Sequence, residues 1–332
     1  MRTLHPRGWL KPALGGLLIL AGAYVFVAGL PDFSAGDGYR YTLLADLEPG
    51  SKGFPEVSGH YPIQRALRYR LEHGQAALEL DVVEYQDDTG QPSRAIVYPP
   101  AGDTVGAREH GLRHDLWQEA MAALDGHAGA DALFLGWWDD GQRIRFATGL
   151  PVWLDKPVAG AYADARESAF WRSVAGGFAP DETRARQLAR WLTMDADAAL
   201  ADMAAVLPKD QPVYVLICLD DLARLAEIET LAGTRLPFEA KVFPAAANLH
   251  AQIAGVKRWA EETGVGAYLA QPLANGAVRA WRITSEAGVK TLLARLLPFT
   301  TSLTQPLPAL KPVYQSGWGS YLTIYQWYPP PP

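Results

Sequence analysis

A single cysteine, Cys218, is all the thiol chemistry in this 332-residue chain. That scarcity excludes internal disulfides, Cys-x-x-Cys-His haem attachment and cysteine-rich metal sites within the chain. Cys218 lies in the apolar run Val213 to Leu219 and reads as a small core residue. The sequence also lacks a glycine-rich phosphate loop, a nucleophile elbow and a zinc-protease motif. Gly264-Val265-Gly266 has no third glycine and reads as a turn. No internal repeat is evident. The composition is nonetheless that of a folded globular chain, long enough for one large core or two smaller ones.

Charge is missing from one place in particular. Ala13 to Leu30 is 18 residues without a charged side chain, just long enough to cross a bilayer as a helix. Arg2, Arg7 and Lys11 precede it, with no acidic residue among the first twelve positions. A basic flank stays cytoplasmic, so the chain after Pro31 is expected outside. A cleaved signal peptide competes, with Val27-Ala28-Gly29 as a small-residue site, but the run exceeds a typical signal core. No later segment is long and uncharged enough to span, so the expectation is a single-pass anchor. Without the three N-terminal charges, 27 basic residues face 36 acidic ones, a net of −9. That balance argues against nucleic acid and anionic lipid and permits a basic partner.

The pattern of elements predicts an α/β fold: a layered mixed sheet flanked by helices, after one transmembrane helix and a small β-rich segment. Residues 1–12 form the basic flank, 13–30 the anchor, 39–105 the β-rich region, 106–328 an α/β domain and 329–332 a proline tail. Gln75 to Tyr85 alternates, and Arg94 to Tyr98 follows a turn at Asp87 to Gly90. Leu112, Leu116, Ala120 and Leu124 recur at helical spacing. Strands are expected at Ala132 to Gly136, Arg143 to Phe146 and Val213 to Leu219. Helices fit 164–174, 181–191, a segment capped by Thr193, 220–231 and 248–263. Asn275-Gly276 joins two strands in a hairpin, and Ser285 caps a last helix ended by Pro298. Pro306, Pro308 and Pro312 read as a stiff connection before a final strand over 321–327.

Trp137-Trp138-Asp139-Asp140-Gly141 directly follows the apolar run Leu133 to Gly136. Adjacent indoles and carboxylates make a poor core, because each needs a hydrogen-bond partner. Strand C-termini in α/β domains commonly meet ligands. The segment is therefore read as a recognition edge, with the indoles on opposite faces if the strand continues. Asp139 and Asp140 would accept hydrogen bonds, and Gly141 would allow close approach of another backbone. Arg143 and Arg145 would point to one polar side. The competing reading is a buried tryptophan platform held by Asp–Arg pairs.

Other constellations are weaker. His110 and His114 share one helical face, but two histidines do not make a metal site. Neither a metal ligand set nor a cofactor is assigned. Tyr314, Trp318, Tyr321, Tyr325, Trp327 and Tyr328 read as strand residues packing on the last helix. Trp327-Tyr328 before the prolines is alternatively a docking tail.

The Trp-Trp-Asp-Asp-Gly segment resembles the Trp-Trp-Asp-x-Gly signature of the oligosaccharyltransferase catalytic subunit. Trp117-Gln118-Glu119-Ala120 precedes it as a tryptophan-bearing helix does there. Residues 195–219 are similar to an acidic helix and strand, and 274–283 to a hairpin, of that family. The likeness covers roughly residues 111 to 328. It implies that Trp137, Trp138 and Asp139 shape a pocket for the hydroxyl residue of an acceptor peptide. Asp140 stands where that family has tyrosine, and its many membrane helices are absent.

Over the whole chain, the N-terminal run, Phe134-Leu-Gly-Trp-Trp-Asp139, Leu297-Pro298-Phe299-Thr300-Thr301-Ser302 and the tyrosine-rich end resemble the HaoB family. That resemblance implies a multi-haem hydroxylamine oxidoreductase as partner and a location at the bacterial inner membrane, with the C-terminal domain periplasmic. The expected role is a non-catalytic accessory that tethers, matures or positions the oxidoreductase. Its expected partner or ligand edge is Trp137, Trp138, Asp139, Asp140, Gly141, Arg143 and Arg145. Two alternatives remain: an acceptor-peptide module, and an enzyme with Asp139 or Asp140 as acid, base or metal ligand.

Overall fold

A computed structural model describes residues 39–73, 76–100, 105–246, 248–273, 275–317 and 321–329. The anchor expected over 13–30, its basic flank, Trp318 and the last three prolines lie outside these residues. Among the described residues no helix is long and apolar enough to cross a membrane.

Four strands, β1 (Arg40–Leu47), β2 (Ile63–His73), β3 (Ala76–Gln86) and β4 (Pro92–Val97), form an antiparallel meander in that order. Alternation in β3 sends Leu80 and Val82 into the main core, while Val83 and Tyr85 enter a smaller cluster on the other face. The meander is thus covered on both sides, and its inner face belongs to the main core, while a separate small cluster of Val256, Val278 and Ala280 lies elsewhere.

The sheet that positions the charged segment runs β10-β11-β6-β5. Its members are β5 (Leu133–Leu135), β6 (Val213–Cys218), β10 (Leu310–Gln315) and β11 (Leu322–Trp327). β5 and β6 are parallel, and β11 pairs antiparallel with both β6 and β10. All six β6 residues are buried, as a strand flanked on both sides requires. The proline-rich segment read as a connection holds the edge strand β10. Pro312 is tolerated there because the register shifts between Pro312 and Tyr314. The fold is therefore mixed α/β, as the pattern implies.

The first helix, α1 (Val105–Asp125), crosses this sheet, and α2 (Trp138–Thr148) leaves the end of β5. The strand expected over Arg143 to Phe146 is thus a correction: these residues lie inside α2, which ends at Gly149 with φ +73°. Next come α3 (Ala165–Val174), α4 (Thr183–Thr193), α5 (Ala196–Val206), α6 (Leu225–Ala232) and α7 (Leu249–Thr263). Asp195 caps α5, in place of the expected Thr193, by accepting from Asp197 N and Ala198 N. The hairpin β8 (Tyr268–Pro272) and β9 (Val278–Ile283) forms as expected, joined by an edge strand the pattern missed, β7 (Phe238–Phe243). The last expected helix is two short ones, α8 (Glu286–Val289) capped by Ser285 and α9 (Leu292–Leu296) capped by Thr291.

Candidate functional site

The C-terminal ends of two parallel neighbours, β5 and β6, lie at one edge of the sheet, and both are followed at once by acids. After β5 come Asp139 and Asp140 in the first turn of α2, a placement the helix dipole favours. After β6 come Asp220 and Asp221, then Arg224 just before α6. Sheet topology therefore gathers four carboxylates and the cations that answer them.

This edge is not accessible. Trp137, Trp138, Asp139 and Asp140 are 1–4% exposed, and Arg143 is 6% exposed. The expected open rim is corrected to an interior network. Both indole N–H groups donate to Glu227 Oε2, at 3.0 Å from Trp137 and 2.9 Å from Trp138. The space beside the indoles, where a hydroxyl pocket was expected, holds that carboxylate. The other oxygen of Glu227 accepts from Arg224 at 3.0 Å, and Arg224 also reaches Asp139 Oδ2 at 3.2 Å. Arg143 donates to the same Asp139 oxygen at 3.2 Å, to Asp140 Oδ1 at 2.5 Å and to Tyr98 OH at 3.0 Å. The guanidiniums also stack: Arg224 lies 4.1 Å from the Trp171 ring centre, and Arg143 lies 4.7 Å from that of Tyr98.

Arg145 takes a different course. On a helix it cannot share a side with Arg143, and it pairs instead with Asp155 and Asp87 at a partly exposed position. Gly141 does meet another backbone: a Cβ there would lie 1.8 Å from Leu154 O. Tyr321 and Arg113 both donate to Asp220, with Arg113 at 3.0 Å. The C-terminal aromatics are likewise used in packing, as Tyr325 OH donates to Leu296 O and Trp327 is buried. His114 Nδ1 donates to Tyr98 O at 2.8 Å. The side chain of His110 lies outside the described set.

The same surroundings push neighbouring acids in opposite directions. Burial opposes charge on Asp139, but Arg224 and Arg143 outweigh it and hold the carboxyl below its ordinary range. Burial and then the charge of Asp139 raise Asp140 to about 7, against the pull of Arg143. Asp221 is pushed well up by burial and Asp140, and Cys218 by burial and Asp140. Asp220 is held low because Arg113 overcomes its burial.

Among the described residues, Asp140, Cys218 and Asp221 bring three possible ligand atoms within 4.8 Å of one another, all buried. A cation there would have to displace protons that the site retains, and Arg143 already occupies Asp140. Cys218 Sγ lies 3.5 Å from Asp140 Oδ2, and Cys218 N donates to Asp221 at 2.8 Å. Proton storage suits this set better than metal binding. Asp140 does not line the nearby cleft.

Stability should carry the signature of these protons. Asp140 and Glu167, each raised to about 7 with burial the largest cause, and Asp221 bind more protons folded than unfolded above the ordinary carboxylate pKa. Their contribution is complete below about pH 4 and fades as pH rises, toward about 7 for Asp140 and Glu167. Asp139 and Asp220, held low, act oppositely and lose their contribution as pH falls below about 4. The melting temperature is thus expected to peak near about pH 4 to 5 and fall toward pH 7. Asp140→Asn should flatten that fall; an unchanged slope in a pH series of thermal melts would count against the assignment.

Sequence reasoning found half of this network. It missed Arg224, Glu227, Asp220, Asp221, Arg113 and Tyr98. One signal was available: Asp220, Asp221 and Arg224 follow an apolar strand just as Asp139 and Asp140 do.

Residues 7–327 match the family model described as HaoA-associated protein HaoB. No curated protein matches the chain.

Proposed function

The chain belongs to the HaoB family, described as HaoA-associated, and from that premise we propose a membrane-tethered accessory protein of hydroxylamine oxidation. In this reading the domain lies in the periplasm and positions or matures the multi-haem oxidoreductase HaoA, while residues 13–30 tie it to the inner membrane. The observation that carries the reading is the extent of the family match, which runs from the N-terminal basic flank to the last strand.

The geometry favours a scaffold over a catalyst. The charged side chains at the sheet edge pair with one another, and Arg143 Nε is left over. Trp137, Trp138, Asp139, Asp140 and Gly141 act on a partner only through the surface they hold up. Contact belongs elsewhere, and β1 offers it: an edge strand with Tyr41, Leu43 and Leu44 each 41–46% exposed. It also begins ten residues after the uncharged run, so it would lie near the membrane. An exposed apolar edge strand is a usual place for another chain to dock.

Replacing Leu43 and Leu44 together with aspartate should reduce recovery of HaoA with this protein from solubilised membranes at least several-fold. The melting temperature should change much less than the recovery, because both residues are 45–46% exposed at the sheet edge. Full recovery by the double variant would remove β1 from the interface. Absence of HaoA from wild-type material would remove the accessory reading itself.

A further inference from the structure

A partly open cleft lies between the end of β4, helix α1, helix α2 and the loop at Val57 and Ser58. Arg143 and Trp117 both line it, and each carries an N–H group with no partner: Arg143 Nε and Trp117 Nε1. Both residues are more than nine-tenths buried, and the guanidinium carbon lies 5.3 Å from the Trp117 ring centre. Buried donors are seldom left unmatched, and each such case calls for an explanation. No carboxylate stands among the residues that line the cleft, whereas Val57, Val97, Met121 and Phe146 give it apolar walls.

We propose that this cleft binds a small carboxylate with a short apolar chain, its oxygens accepting from Arg143 Nε and Trp117 Nε1. The ligand is anionic because both unmatched groups are donors and one belongs to a cation. Arg143 gives its two terminal nitrogens to Asp140 and to an Asp139 oxygen that also serves Arg224, which leaves Nε for the cleft. The apolar walls select a tail over a bare inorganic oxyanion. Nothing in this assignment depends on HaoA or on the membrane, so it stands or falls apart from the accessory reading.

The test is a titration of the full-length protein in detergent with formate, acetate, butyrate and nitrite, followed by the ¹⁵N-indole resonance of Trp117. Chloride at matched ionic strength serves as control. A saturable shift is expected, with affinity rising roughly three-fold per added methylene from acetate to butyrate. Trp117→Phe removes one donor and should weaken butyrate roughly ten-fold, read by calorimetry. Gln118→Glu keeps the shape of an exposed residue at the cleft, adds a like charge and should also weaken binding. It keeps the question answerable if Trp117→Phe does not fold. No saturable shift with butyrate would mean that water alone meets the two donors and would overturn the proposal. Nitrite or formate binding more tightly than butyrate would overturn it too, as would unchanged affinity in Gln118→Glu.

Discussion

Asp139→Asn should cost about 3–5 kcal/mol of folding stability, whereas Asp140→Asn should cost under about 1 kcal/mol at pH 7. The two residues are adjacent, equally buried and chemically identical, so only their surroundings separate them. Asp139 is the shared counter-ion of Arg143 and Arg224, and losing its charge leaves two guanidiniums underpaired in the interior. Asp140 already holds a proton for much of the time near neutrality. Its amide replacement can still accept from Arg143, and it removes a like charge from beside Asp139. Urea unfolding of the two variants at pH 7 measures the difference directly. Equal losses would mean that the two carboxyls do not differ as described.

Gly141→Ala should be more damaging still, above about 4 kcal/mol or enough to prevent folding. The added Cβ would sit 1.8 Å from a backbone oxygen, Leu154 O, rather than against a side chain able to swing away. That backbone is pinned: Phe134 N donates to Pro151 O at 3.0 Å, and Trp153 N donates to Phe134 O at 2.8 Å. On the other side, α2 is fixed by Arg143 and by the indoles on Glu227. Neither partner can yield without breaking hydrogen bonds that have no replacement in the interior. The yield and melting temperature of the variant decide the point; a melt within a few degrees of wild type would show that the approach is looser than this.

Local pattern and long-range order divide what was legible in the chain. β3, β6 and the β8–β9 hairpin were readable because alternation, an unbroken apolar run and Asn275-Gly276 each have one structural meaning. The segment after Asp140 was not, because Arg143, Ile144, Arg145 and Phe146 alternate like a strand. The helix was nonetheless encoded there. Asp139 and Asp140 stand four and three residues before Arg143, the spacing of helical ion pairs. The tryptophan platform held by Asp–Arg pairs, the alternative to an open edge, describes the geometry that forms. Its closing members could not be read locally. Glu227 lies 90 residues from Trp137 and Arg224 lies 85 from Asp139, brought close only because β5 and β6 are parallel neighbours.

That arrangement gives the motif a different meaning from the one its residue types suggest. Two indoles and two acids at a strand end ordinarily announce a binding edge, yet here both indole N–H groups donate to Glu227 and both acids pair with arginines of the same chain. The segment fixes β5, β6 and α2 against one another and leaves recognition to surfaces around it. The measurement that tests this most directly is hydrogen exchange at the tryptophan indoles of the ¹⁵N-labelled protein. Trp137 and Trp138, both bonded to Glu227, should keep their indole protons long after half-buried Trp259 has lost its own. Exchange at Trp137 and Trp138 as fast as at Trp259 would place them in contact with water and contradict the account.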